Sequence, residues 1–158
     1  MLDSYLHTFN EMLTTTYRSI CKVEELMLRK LSGDRLSLSE MHMLESIGKR
    51  RGEGRTITEI AQDLEITPPS VTATVKRLEK KGYVTKDRSS EDARRVQILL
   101  TPDGSRAEIA HRYFHRKMVR AITADLNVCE RDAILRGLKK MNAFMRLQLE
   151  SYAARKED

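Results

Sequence analysis

Cysteine is scarce: Cys21 and Cys129 are the only two in 158 residues, and they form no CxxC pair. That spacing excludes a disulfide-stapled scaffold and a zinc ribbon and fits a reducing compartment. Only three prolines and seven glycines punctuate the chain, so long helices can run uninterrupted. No apolar run approaches the roughly 18 residues that span a bilayer, and no signal-peptide pattern opens the sequence, so a cytoplasmic protein without a membrane partner is expected. A phosphate-cradling glycine loop, a GxSxG elbow and a paired-carboxylate arrangement are also missing, and an enzyme is not expected.

What the sequence does have is charge and helical periodicity. Charged residues make up 33% and the hydrophobic set 40%, enough to build a core and too patterned for disorder. The formal net charge is +6, and residues 67–95 hold most of it, with eight basic side chains against four acidic ones. A local basic excess is the footprint of a phosphate-binding surface. A solvated helical face would give the same excess, so the pattern within that segment has to decide.

Leu2, Leu6, Phe9, Leu13, Ile20, Met27 and Leu31 follow a four-three spacing that predicts one helix over residues 3–31, broken at Gly33 and Asp34. Ser37-x-x-Glu40 is a capping box for a second helix, which carries Met41, Leu44 and Ile47 to Gly48. Residues 49–55 form a polar loop. Thr56-x-x-Glu59 is a second capping box, opening a short helix with Ile60, Ala61 and Leu64 as its apolar face. After a tight connection at Glu65-Ile66, Thr67 caps a fourth helix with Pro68 in its first turn, and Gly82 stops it after Lys81. Tyr83–Arg88 and Val96–Leu100 read as a β-hairpin, with Val96, Ile98 and Leu100 alternating. Thr101-Pro102 starts a helix reaching about Asp125, and Asn127-x-x-Glu130 caps a last one that passes Met145.

Two short helices joined by a tight turn and followed by a hairpin make a winged helix-turn-helix. The expected fold is mainly α: a winged helix-turn-helix over residues 36–102 with a two-stranded β-wing, and long N- and C-terminal dimerisation helices from residues 1–35 and 103–158, intertwined as one domain. The terminal helices are too long for so small a module to cover. Apolar stripes such as Ile134, Leu135, Leu138, Met141, Met145 and Leu149 need a further surface, which a two-fold partner supplies.

On the fourth helix Val71, Val75 and Leu78 cluster on one side and anchor it. The opposite side carries Pro69, Ala73, Lys76, Arg77 and Lys80, flanked by Ser70 and Thr72, with Thr67 at the cap. Small and polar residues near the N-terminus let a helix reach base edges in a major groove, and basic residues farther along meet phosphates. At the hairpin tip, Arg94 can enter a minor groove while Asp92, two residues earlier, holds its guanidinium. An ordinary surface ion pair is the alternative there.

Residues 56–61 (TITEIA), 71–82 (VTATVKRLEKKG), Asp92-Ala93-Arg94 and residues 100–104 (LTPDG) together resemble the MarR family of dimeric winged-helix regulators, over nearly the whole chain. The resemblance implies a two-fold dimer on a pseudo-palindromic operator, usually as a repressor, with Thr67–Lys81 as recognition helix and Arg94 as wing arginine. Many members have two basic residues after the wing aspartate; Ala93 replaces the first here. Residues 40–42 (EMH), 47–49 (IGK) and 113–119 (YFHRKMV) further resemble the FabT branch, whose members repress fatty-acid-synthesis genes and bind DNA better with long-chain acyl-acyl carrier protein. That implies an acyl chain lodged between the dimerisation helices and the DNA-binding lobe. Met12, Met27, Met41, Met43 and Met118, with His42 and Phe114, are its candidate lining, although methionine stripes equally suit plain core.

His111 and His115 stand at i and i+4, a spacing that can chelate a metal. Zinc-responsive uptake repressors of the same family use Glu, His and a His-x-x-x-His pair in matching places, which implies Glu24, His42, His111 and His115 as Zn²⁺ ligands. A second zinc site of that branch is unmatched, with Lys30, Met41 and Ala110 where Cys, Glu and Glu are expected. The FabT branch carries the same histidines, so a polar hinge, a metal site and unrelated surface histidines all stay open. Cys21 occupies the place of a peroxide-sensing thiol in some members, with an inert core thiol as the alternative. No cofactor is required for the fold.

Overall fold

The computed structural model describes residues 2–33, 35–87 and 96–154. They form α1 (Leu2–Ser32), α2 (Leu38–Gly48), α3 (Ile57–Leu64), α4 (Pro68–Lys80), β1 (Val84–Asp87), β2 (Gln97–Leu100), α5 (Pro102–Thr123) and α6 (Val128–Ala154). Order and type agree with the periodicity. The anticipated end of α5 near Asp125 moves back to Thr123, whose carbonyl accepts from Leu126 N–H and the Arg131 guanidinium instead of continuing the helix.

Local chemistry sets the boundaries. Ser37 Oγ accepts from Glu40 N–H at 3.3 Å while Glu40 Oε2 accepts from Ser37 N–H at 2.9 Å. Thr56 and Glu59 repeat this exchange at 3.2 and 2.8 Å. Thr67 Oγ1 caps α4 by accepting from Ser70 N–H, and Pro68 sits where its missing donor goes unused. The link from α3 to α4 is tight because Glu65 takes the left-handed conformation (φ 54°) and Ile66 N–H reaches back to Ala61 O at 3.1 Å. Gly82, at φ +80°, ends α4 and lets Tyr83 N–H donate to Leu78 O at 2.9 Å.

The residues group into two compact units, Met1–Tyr113 and Phe114–Asp158. In the first, Met41, Leu44 and Ile47 of α2, Ile60 of α3, and Val71, Val75 and Leu78 of α4 form one apolar core. Val84 and Ile98 close it from an antiparallel hairpin in which Val84 faces Leu100 and Asp87 faces Gln97. Arg55 adds an antiparallel bridge to Ile98 on the hairpin's open edge.

Thr101 docks α5 on the end of α4. Its hydroxyl donates to Gly82 O at 2.8 Å and accepts from Gly104 N–H at 3.1 Å, while its N–H donates to Tyr83 O at 3.1 Å. A Cβ on Gly104 would collide with Tyr83 O, a backbone atom that cannot swing aside. Gly104→Ala is therefore expected to destabilise the first unit by about 2 kcal/mol, within the overpacking range, read as a lower urea midpoint.

The second unit holds the rest of α5 and α6. Among its described residues none is buried, and Val119, Ile122, Leu135, Leu138, Phe144 and Leu147 are all exposed. In the first unit α1 likewise exposes Tyr5, Leu6, Phe9 and Met12. Apolar side chains displayed on this scale mark contact surfaces.

Candidate nucleic-acid interface

α4 divides its residues sharply. Val71, Thr74, Val75 and Leu78 are buried against the core, and Thr67, Pro69, Ser70, Thr72, Ala73, Lys76, Arg77 and Lys80 are exposed. Every reading and phosphate residue that the sequence places on this helix thus shares its open side. The N-terminal hydroxyls are ordered by the helix itself: Ser70 Oγ pairs with Thr67 Oγ1 at 2.9 Å, and Thr72 Oγ1 donates to Pro68 O at 3.0 Å. Their remaining oxygen lone pairs can meet donor edges of bases.

Arg77 is more constrained than its neighbours. Its Nη2 donates to Thr74 Oγ1 at 2.8 Å and its Nε lies 3.7 Å from Glu40 Oε1, so the guanidinium is drawn toward the body. Lys76 and Lys80 are left as the outward cations of the face. Asp92 and Arg94, the wing pair, lie outside the described residues, as does Ala93.

Two ionic clusters tie the helices of the first unit together. Glu40, buried at the start of α2, accepts from Lys81 Nζ through both oxygens at 2.7 Å, tying the end of α4 to α2. Burial pushes the Glu40 carboxyl up, but the bonds from Lys81 and Ser37 outweigh it and hold the group below the ordinary carboxylate value. Asp63, on the last turn of α3, accepts from Lys49 Nζ at 2.6 Å, Ser46 Oγ at 2.7 Å and Arg55 Nη1 at 2.9 Å. Burial again acts upward there and loses to these donors, which bring Asp63 down from 3.8 to about 2.

This depressed value sets an acid dependence. The stability it supplies is complete above the unfolded carboxylate value near 3.8 and is lost as pH falls through about 2. Between pH 4 and 2 the protein is expected to lose about 2 kcal/mol from this group alone. Asp63→Asn removes that share of the acid slope, checked by urea melts across the interval.

The sequence-predicted effector residues occupy several environments. Met41 and Met43 are fully buried in the helix-turn-helix core, where they pack as interior side chains. Met27 packs partly against the same core and Met12 is exposed on α1. His42 is exposed; Phe114 and Met118 are half-buried in the second unit. Of the four proposed metal ligands, Glu24 and His111 close on each other, His111 Nε2 lying 3.9 Å from Glu24 Oε1, both buried. The other ring nitrogen, Nδ1, donates to Glu45 Oε1 at 2.8 Å. The His42 ring stands edge-on to His111 at a centroid distance of 6.1 Å. His115 follows one turn later on α5, in the second unit. Cys21 is half-buried on α1 and, by hydrogen bonding, pushes the phenol of Tyr17 above its ordinary value.

The MarR family pattern matches residues 36–96. The crystal structure of Streptococcus pneumoniae FabT in complex with DNA superposes with a TM-score of 0.80 at 31% identity, covering 89% of this chain and 96% of that one. The chain belongs to the MarR family. Similar curated proteins are the HTH-type regulator YhjH of Bacillus subtilis, 30% identical over 95 residues (57% of this chain, 53% of YhjH), and the repressor MdtR of the same organism, 28% identical over 83 residues (52% of each). The chain spans about half the length of these curated relatives. It is a MarR-type DNA-binding transcriptional regulator. No helix among the described residues is long and apolar enough to cross a membrane.

Several supporting residues of this MarR fold escape a reading by local pattern. Glu40 is visible as a capping residue, yet its partner Lys81 lies 41 positions away and counts in the sequence only as one more basic charge. Glu45, which orders His111 from 66 positions away, gives no local signal. Glu108, buried on α5, pairs with Arg51 at 3.1 Å and Arg112 at 3.0 Å; the i,i+4 spacing of the second pair was its only clue.

Proposed function

We propose that this chain is a homodimeric cytoplasmic repressor of fatty acid or lipid synthesis genes that binds its operator more tightly when long-chain acyl-acyl carrier protein is present. The observation that supports this most is the likeness to FabT in its DNA complex, at 31% identity over 89% of the chain, which extends beyond residues 36–96 into the terminal helices. Two chains paired through the exposed apolar helices place their α4 segments in successive major grooves, about 34 Å apart. The wing residues Asp92 and Arg94 add a minor-groove contact.

Ser70→Ala or Thr72→Ala is expected to relax base preference by about 1–3 kcal/mol at one position per half-site. Lys80→Ala weakens binding to all duplexes alike and lowers the salt slope by about 1. A uniform loss in all three variants would show that the reading face is misassigned. For the effector, a mobility shift on the DNA upstream of the protein's own gene is the test. Long-chain acyl-carrier protein should tighten the complex, and unloaded carrier should leave it unchanged. Equal effects of loaded and unloaded carrier contradict the acyl reading.

A second reading, a zinc-responsive regulator, is favoured by the approach of Glu24 to His111. Atoms 3.9 Å apart can share one ion with bonds of about 2 Å, and the Glu45 bond fixes the tautomer that leaves Nε2 as ligand. His42, whose ring stands edge-on to His111, is a further donor of that reading. Zinc would then tighten the same complex, and a chelator would reverse it. Peroxide sensitivity abolished by Cys21→Ser would mark the redox alternative.

A further inference from the structure

We propose that Arg55 locks the β-wing to the helices that carry α4, and so acts as a positioning residue for duplex recognition. The proposal rests on the DNA-reading role of α4 and the hairpin given above and adds a residue that itself touches no DNA.

The main chain and the side chain of Arg55 face different neighbours. Its backbone exchanges two hydrogen bonds with Ile98 of β2, Arg55 N–H to Ile98 O at 3.0 Å and Ile98 N–H to Arg55 O at 2.8 Å. Its guanidinium reaches two helices. Nη1 donates to Ser46 O at 3.0 Å, Ser46 Oγ at 2.9 Å and Asp63 Oδ2 at 2.9 Å, and Nη2 donates to Glu59 O at 3.0 Å. Ser46 belongs to α2, and Glu59 and Asp63 belong to α3. One residue therefore joins the hairpin, α2 and α3, and α3 carries α4 through the tight Glu65 turn.

The side chain is only 13% exposed, and its guanidinium is turned onto four protein acceptors. Its Nε is buried with no hydrogen-bond partner. The acceptors, two carbonyls, a hydroxyl and a carboxylate, lie around a planar fork. A lysine ammonium on a flexible stem cannot bridge them.

Recognition by a winged helix engages two grooves at once. If the hairpin and α4 move independently, ordering them on the duplex opposes binding although every DNA-contacting side chain is intact. Loss of the Arg55 fork should therefore damage selective binding more than general affinity for DNA.

The experiment compares wild type, Arg55→Lys and Arg55→Met as full chains on a duplex selected from a random pool by the wild type and on an unrelated duplex. Urea stability and groove-resolved footprints are measured alongside. Both variants are expected to lose at least tenfold in affinity for the selected duplex and to stay within about twofold on the unrelated one. Major-groove protection persists while minor-groove protection fades. Failure of lysine to rescue, despite its charge, separates positioning from phosphate contact.

Full rescue by lysine, wild-type affinity in both variants, or losses on both duplexes in proportion to stability would overturn the proposal. If Arg55→Met does not fold, Asp63→Asn, which keeps the side chain's shape, carries the comparison; a selective loss supports the lock and unchanged selectivity overturns it. A wild type that selects no duplex removes the DNA-reading role and this proposal together. A wild type that binds selectively beside indifferent variants removes the lock alone.

Discussion

Changing Leu135 and Leu138 together to glutamate is expected to give a monomer that no longer holds its operator. Both side chains are exposed on α6, in a unit where no described residue is buried. Apolar helices of this kind become stable by covering one another, and in a two-fold interface each substitution counts twice. Burying one leucine contributes about 1.5–3 kcal/mol, so four such residues across the axis form a large part of any association energy. The glutamates remove that term and would place four carboxylates in the interface. Without the second reading helix, the gain from linking two half-sites, about 10²–10⁴ in affinity, is lost. Sedimentation measures the mass and a mobility shift the affinity. A double variant that stays two-fold would show that α6 is not the paired surface.

The second large effect concerns two adjacent lysines with different roles. Lys81→Met is expected to destabilise the fold by about 3 kcal/mol, because it leaves the Glu40 carboxylate buried without the cation that holds it through two bonds of 2.7 Å. The end of α4 is released from α2, so DNA binding falls with stability. Lys80→Met should leave the urea midpoint within about 0.5 kcal/mol of wild type, as exposed substitutions usually do, while weakening binding to every duplex. Similar stability losses in the two variants would contradict the assignment of Lys81 to the body and Lys80 to the DNA.

This pair also shows how far a sequence can be read. The boundaries were legible because their chemistry is local: Ser37 with Glu40, Thr56 with Glu59, Thr67 before Pro68, and Gly82 after the last turn all act within four residues. The open side of α4 was legible because a helix turns its residues at a fixed angle, which separates buried Val71, Val75 and Leu78 from exposed Lys76 and Lys80. The supporting contacts were not legible. Nothing near Lys81 distinguishes it from Lys80 until α2 brings Glu40 beside it, and residue 55 reads as loop until Ser46, Glu59 and Asp63 surround its guanidinium. Met41 and Met43 show the converse. Their composition suits an adaptable lining, and only the structure shows that both side chains are fully buried within the apolar cluster of the first unit.

A footprint of the wild-type protein on a duplex selected from a random pool, with the stoichiometry of the complex measured in the same buffer, tests the central claim most directly. The account predicts two chains per duplex and two windows of major-groove protection one helical turn apart, about 10 base pairs. One chain per duplex, a single protected window, or no protection at low salt would contradict it.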